Sequence, residues 1–100
     1  MAALLSDRPA PLPLTDAQLD RLHWVCEVAF RRVCQLPDRC GAREARIAAG
    51  PRALAMVDVA PTASRAQIAT ALADASNAYL GELIRRRWRA AQRRSRASVA

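Results

Sequence analysis

Residues 85–96 (RRRWRAAQRRSR) hold seven arginines and no acid. Guanidinium groups at this density suit one kind of chemistry, the binding of anions through paired N–H donors to phosphate or carboxylate. The 100-residue chain has 16 basic and 9 acidic residues, a net charge of +7. Outside that run it is formally neutral, with nine residues of each sign. Every basic residue is Arg and none is Lys. A neutral body with a concentrated cationic end is arranged to meet something anionic.

If this segment is helical, Arg85, Arg86, Arg89, Arg93 and Arg96 fall within an arc of about 100°, with Arg87 and Arg94 outside it. Trp88, Ala91 and Ser95 sit away from that arc. Nucleic acid satisfies such a face. Arg donates bidentately to phosphate, and Trp88 can stack on an unpaired base. Seven phosphate contacts would give a log–log salt slope of about −6 on duplex DNA. An acidic protein surface is the alternative anion, with Trp88 as its anchor. An anionic membrane surface fits less well, because the apolar back (Leu80, Ile84, Trp88, Ala91) is short and the fold needs it. The plainest reading is a solvated basic tail that serves solubility.

Other chemistry is sparsely provided. There is one His, no phosphate-binding glycine loop and no pairing of nucleophile with base, so an enzyme and a cofactor are not expected. His23-x2-Cys26 sets two ligand types one helical turn apart, and Cys34 and Cys40 follow. The close ligand pairs of zinc sites are missing from this spacing, so no metal is expected. Cys26 falls on an apolar stripe, where a small buried thiol is commonplace. His23 is expected at a helix surface or boundary. Residues 1–14 contain no secretory apolar run and are interrupted by Pro9, Pro11 and Pro13. With three cysteines, a reduced cytoplasmic protein is the simplest expectation. No stretch approaches the roughly 18 apolar residues of a membrane span, so no membrane partner is expected.

The elements that must position the arginines read as helices. Thr15 and Gln18 form a capping box, and Leu14 can staple onto Leu19. Leu19, Leu22, Cys26, Ala29, Phe30 and Val33 then recur at helical spacing until Pro37. Trp24, Val25 and Val28 widen this surface, so the first helix should be buried on two sides, or on one side plus a partner. Residues 41–50 form a short helix stopped by Gly50-Pro51. Residues 52–60 favour another short helix, with a strand as the alternative. Ser64 and Gln67 make a second capping box, and no proline follows before residue 97. Ile68, Leu72, Ala75, Tyr79 and Leu83 share one face of this last segment; Leu80, Ile84, Trp88 and Ala91 share another. One straight helix would need two partners to cover both faces. A break near residues 74–77, where Asp74, Ser76 and Asn77 are good cap residues, would need only one core.

The broken version resembles a helix-turn-helix, through Gln67-Ile68-Ala69 and Leu72 in the first helix, Ser76 as cap, and Leu80 and Ile84 in the second. The resemblance implies that the second helix enters the major groove, with Asn77, Ala78, Gly81, Glu82 and Arg85 at base edges. Two departures stand against it. The turn Ala73-Asp74-Ala75 is one residue too long, and Gly81 lies inside the recognition helix.

The expected fold is all-α: a small helical domain of four to five helices with a C-terminal arginine-rich helix, helix-turn-helix-like in one reading. Residues 1–14 form a flexible Pro-containing leader, 15–84 the helical core and 85–100 the arginine-rich extension. The core is modest for this length, which makes a dimer or other homo-oligomer natural. The expected function is nucleic-acid binding, DNA ahead of RNA, by a regulator or accessory factor. Its site comprises Arg85, Arg86, Arg87, Trp88, Arg89, Arg93, Arg94 and Arg96, with Asn77 reading sequence. The alternative is a helical adaptor or inhibitor on an acidic protein surface, or a subunit of a nucleoprotein assembly.

Overall fold

The computed structural model describes residues 13–99. Four helices and no strand occur among them: α1 (Asp16–Cys34), α2 (Ala42–Ala49), α3 (Pro51–Leu54) and α4 (Arg65–Val99). The proposed leader falls largely on residues 1–12, outside the described residues. Helix α1 starts where its capping box dictates. The Thr15 hydroxyl accepts from the Gln18 amide at 3.1 Å, and the Gln18 side chain accepts from the Thr15 amide at 2.8 Å. The Ser64–Gln67 box opens α4 in the same way, at 3.2 and 2.8 Å. Between α2 and α3 the chain turns at Gly50, with φ 86° and ψ 154°. That region is open essentially to glycine alone. Pro51 then starts α3, a single turn; the strand alternative for residues 52–60 does not form.

Helix α4 runs unbroken through residues 74–77, so the helix-turn-helix is corrected to one 35-residue helix. The turn Ala73-Asp74-Ala75 is helical backbone. The reason lies across the core. Ser76, read as a cap residue, is buried, and its hydroxyl lies 2.8 Å from His23 Nδ1 and 3.3 Å from the Glu27 carboxylate. A side chain held by a tertiary partner no longer competes for its own backbone, so the helix continues. His23, expected at a helix surface or boundary, is likewise buried. Its Nδ1 also lies 3.2 Å from the Ser76 carbonyl, which can only accept. A consistent chain therefore has Nδ1–H donating to Ser76 and the Ser76 hydroxyl donating to Glu27. This order places serine between histidine and acid, and Ser76 is sealed from solvent; the trio is a packing link, not a nucleophile with its base.

Helices α1 and α4 pack antiparallel, as three cross-links along them show: Arg65 to Val33, Ser76 to His23, and Arg86 to Asp16. Ile68, Leu72 and Leu83 of α4 are buried, as are Leu19, Cys26, Ala29 and Val33 of α1. Burial pushes the Cys26 thiol pKa up, keeping it a neutral packing group. Helices α2 and α3 close the core with Ala45, Ala49 and Ala53, whose small side chains permit close approach. Arg65 donates to the carbonyls of Val33 and Cys34 at 3.2 and 3.1 Å, satisfying the C-terminal end of α1. Of the two apolar faces of α4, the first is covered, while the second is open beyond the half-buried Leu80. Ile84 is 55% exposed and Trp88 63% exposed. Helix α1 begins level with Arg86, so α4 runs on alone. From residue 87 to 98 every residue is exposed except the half-buried Ala90. At about 1.5 Å per residue this overhang is roughly 20 Å long. Among the described residues no helix is long and apolar enough to cross a membrane.

Candidate nucleic-acid interface

The seven arginines divide into three that pair with Glu82 and four that have no ion pair among the described residues. Glu82 takes the first set. Its carboxylate lies 3.1 Å from Arg85, 3.1 Å from Arg86 and 3.3 Å from Arg89. Arg86 also reaches Asp16 at 3.2 Å and donates to the Leu14 carbonyl, tying α4 to the start of α1. Its side chain is only 26% exposed. The hydrogen bonds from Arg86, and then from Arg85, hold the Glu82 carboxyl below its ordinary range; Glu82, and then Asp16, push the Arg86 guanidinium up. The spacing of Glu82 and Arg86 anticipates their pair. It does not anticipate that one carboxylate serves three arginines. The expected single cationic arc is therefore divided along its length.

Arg87, Arg93, Arg94 and Arg96 make no ion pair among the described residues. They lie on the overhang, and helical geometry sorts them into rows. Arg87 and Arg94 stand on one side. Arg89 and Arg96, with Arg93 near them, stand about 160° around the axis. Between the two rows, about 100° from each, lie Trp88 and Ser95, flanked by Ala91 and Gln92. Trp88, Arg89, Gln92, Arg93 and Arg96 line a shallow surface depression of about 340 Å³. The sequence already sets Arg87 and Arg94 outside the arc and Trp88, Ala91 and Ser95 away from it; Gln92 is the residue it leaves unnamed, though the same helical spacing places it beside the strip.

The overhang suits a polyanion in size and charge. An α-helix with its side chains is about 10–12 Å across, and the B-DNA major groove is about 12 Å wide. Five arginines between residues 87 and 96 place a charge about every 3 Å of helix axis, close to the spacing of phosphates along one DNA strand. Asn77 is exposed but lies about 15 Å before Arg87 along α4, beside the packed body. The structure does not bring it to the distal arginines. Arg85 and Glu82, also implied as base readers, are engaged with one another. No protein-family model, curated protein or solved structure matches this chain.

Proposed function

We propose that the protein binds duplex DNA by laying the overhanging end of α4 in the major groove. The observation that carries this reading is the stretch of α4 that overhangs α1, with an uncharged strip between two arginine rows. In a groove both walls are phosphate and the floor is base edges, so an element that fits needs cations on two flanks and readers between them. Arg87 and Arg94 face one wall, and Arg93 and Arg96 the other, beside the Glu82-paired Arg89. Gln92 has the bidentate amide that suits adenine, Ala91 the methyl that suits thymine, and Ser95 a hydroxyl that pairs with several edges. Trp88 adds apolar contact at the inner end of the strip. The deep, narrow major groove of A-form RNA does not admit a helix, which sets DNA ahead of duplex RNA.

Arg85, Arg86 and Arg89 contribute less than their position in the sequence suggests, because they already pair with Glu82, and Arg86 also with Asp16. Four distal contacts imply a log–log salt slope of about −4, against about −6 for all seven arginines. The test is a fluorescence-anisotropy titration of labelled duplex and single-stranded DNA and RNA at several salt concentrations. The expected result is duplex-DNA binding that the combined Arg87→Gln, Arg93→Gln, Arg94→Gln and Arg96→Gln variant loses. Gln92→Ala should weaken the preferred sequence by about 1–3 kcal/mol and leave random DNA nearly unchanged. Tight binding confined to single strands, or none near physiological salt, overturns the reading.

A further inference from the structure

On the far side of α1 from the α4 interface lies a second surface that the DNA reading leaves unused. Arg21, Trp24, Val25, Val28, Ala29 and Arg32 of α1 face the junction of α2 and α3 across an open groove of about 480 Å³, whose other wall includes Pro51, Arg52 and Ala53. Its floor is apolar. Trp24 is 47% exposed and Val28 40% exposed, a bulky pair left to solvent at mid-helix. Trp24 is steadied from its own helix: the His23 ring lies 5.1 Å away, and the Arg31 guanidinium sits 6.0 Å over the indole. Its rim is cationic. Arg21, Arg32 and Arg52 make no ion pair among the described residues, and no acidic side chain lines the groove.

We infer that this groove is a docking site for an acidic amphipathic helix of a partner protein. The charge pattern selects the occupant. A second copy of the chain would bring its own three rim arginines to the same place, whereas an acidic helix complements all of them. The shape selects the conformation. Arg21 and Arg32 lie about 16 Å apart along α1, which matches about three turns of a helix laid alongside, its apolar residues entering at i, i+3, i+4 and i+7. Trp24 and Val28 supply the anchor, as a half-exposed aromatic beside an aliphatic side chain does in helix-in-groove recognition. The site lies on the opposite side of α1 from α4, so one molecule can hold DNA and a protein partner together.

The test uses full-length Trp88→Phe protein, in which Trp24 is the sole tryptophan, without nucleic acid. A panel of amphipathic helical peptides with Leu or Phe at the anchoring positions and Glu on the flanks is titrated in, beside the same peptides with Gln for Glu. The expected result is a saturable blue shift of Trp24 emission with Glu peptides, about tenfold or more weaker with Gln peptides and about two- to fivefold weaker with Arg52→Gln protein. Val28→Glu, at a half-exposed position that keeps the far-ultraviolet helical spectrum, should abolish it. Equal response to Glu and Gln peptides overturns the proposal, as does no response to any of them. A free protein that sediments as a dimer dissociated by Val28→Glu also overturns it, because the second copy then fills the groove.

Discussion

Arg86 and Arg93 lie about two turns apart on the same side of α4, and they do different work. Arg86 is held by Glu82, Asp16 and the Leu14 carbonyl, and fastens α4 to the first turn of α1. Arg93 lies on a stretch of helix that α1 does not reach, and has no acidic partner among the described residues. A second contrast, around the helix rather than along it, separates the apolar residues. Leu83 is buried, while its neighbour Ile84 is 55% exposed. The packed part of α4 holds Arg85 and Arg86 in ion pairs; on the overhang only Arg89 has an acidic partner among the described residues. Composition alone does not distinguish these parts, because an arginine becomes structural or available according to what lies across from it.

Paired substitutions test these two contrasts. The largest expected difference is between Leu83→Ala and Ile84→Ala. The first should destabilise by about 2–5 kcal/mol, as deletion of a buried leucine does. The second should fall within about 0.5 kcal/mol of the parent in chemical denaturation, as an exposed change does. Equal costs would show that a partner, such as a second copy, already covers the Ile84 face. Next comes Gly50→Ala, which forces a Cβ into a backbone region costing about 1–3 kcal/mol; thermal unfolding should fall accordingly, with little change in DNA affinity.

The Glu82 cluster predicts a pH dependence. Folding lowers the Glu82 pKa below its ordinary value of 4.5, so the unfolded chain takes up the proton first as pH falls. The contribution is therefore complete above that ordinary value and is lost as pH drops through the lowered folded value. Denaturation midpoints of the parent and Glu82→Gln should differ at neutral pH and converge in acid. The smallest effect is a gain. A methyl group at Gly81 meets only the Arg85 side chain, at 3.5 Å, so Gly81→Ala should stabilise by about 1 kcal/mol in melting experiments.

Much of the fold is legible from local signals. The Thr15–Gln18 and Ser64–Gln67 boxes and the Gly50-Pro51 stop place helix ends because each acts within a few residues. The continuity of α4 is not legible in this way. Ser76 is a weak helix residue whose hydroxyl is claimed by His23 and Glu27, about fifty positions earlier. The candidate site is half legible. Arginine density and the Trp88 position are plain in the sequence, but the division of the arginines depends on where α1 begins. That fact also sets Asn77 beside the packed body, apart from the distal arginines.

The most direct test of this division compares Arg85→Gln with Arg93→Gln in duplex-DNA binding from about 50 to 200 mM salt, where the parent should weaken roughly 150-fold. Arg93→Gln should reduce the log–log slope by about one, and Arg85→Gln should leave it unchanged. Equal loss of slope in both variants would contradict the account, because Arg85 would then reach phosphate despite Glu82.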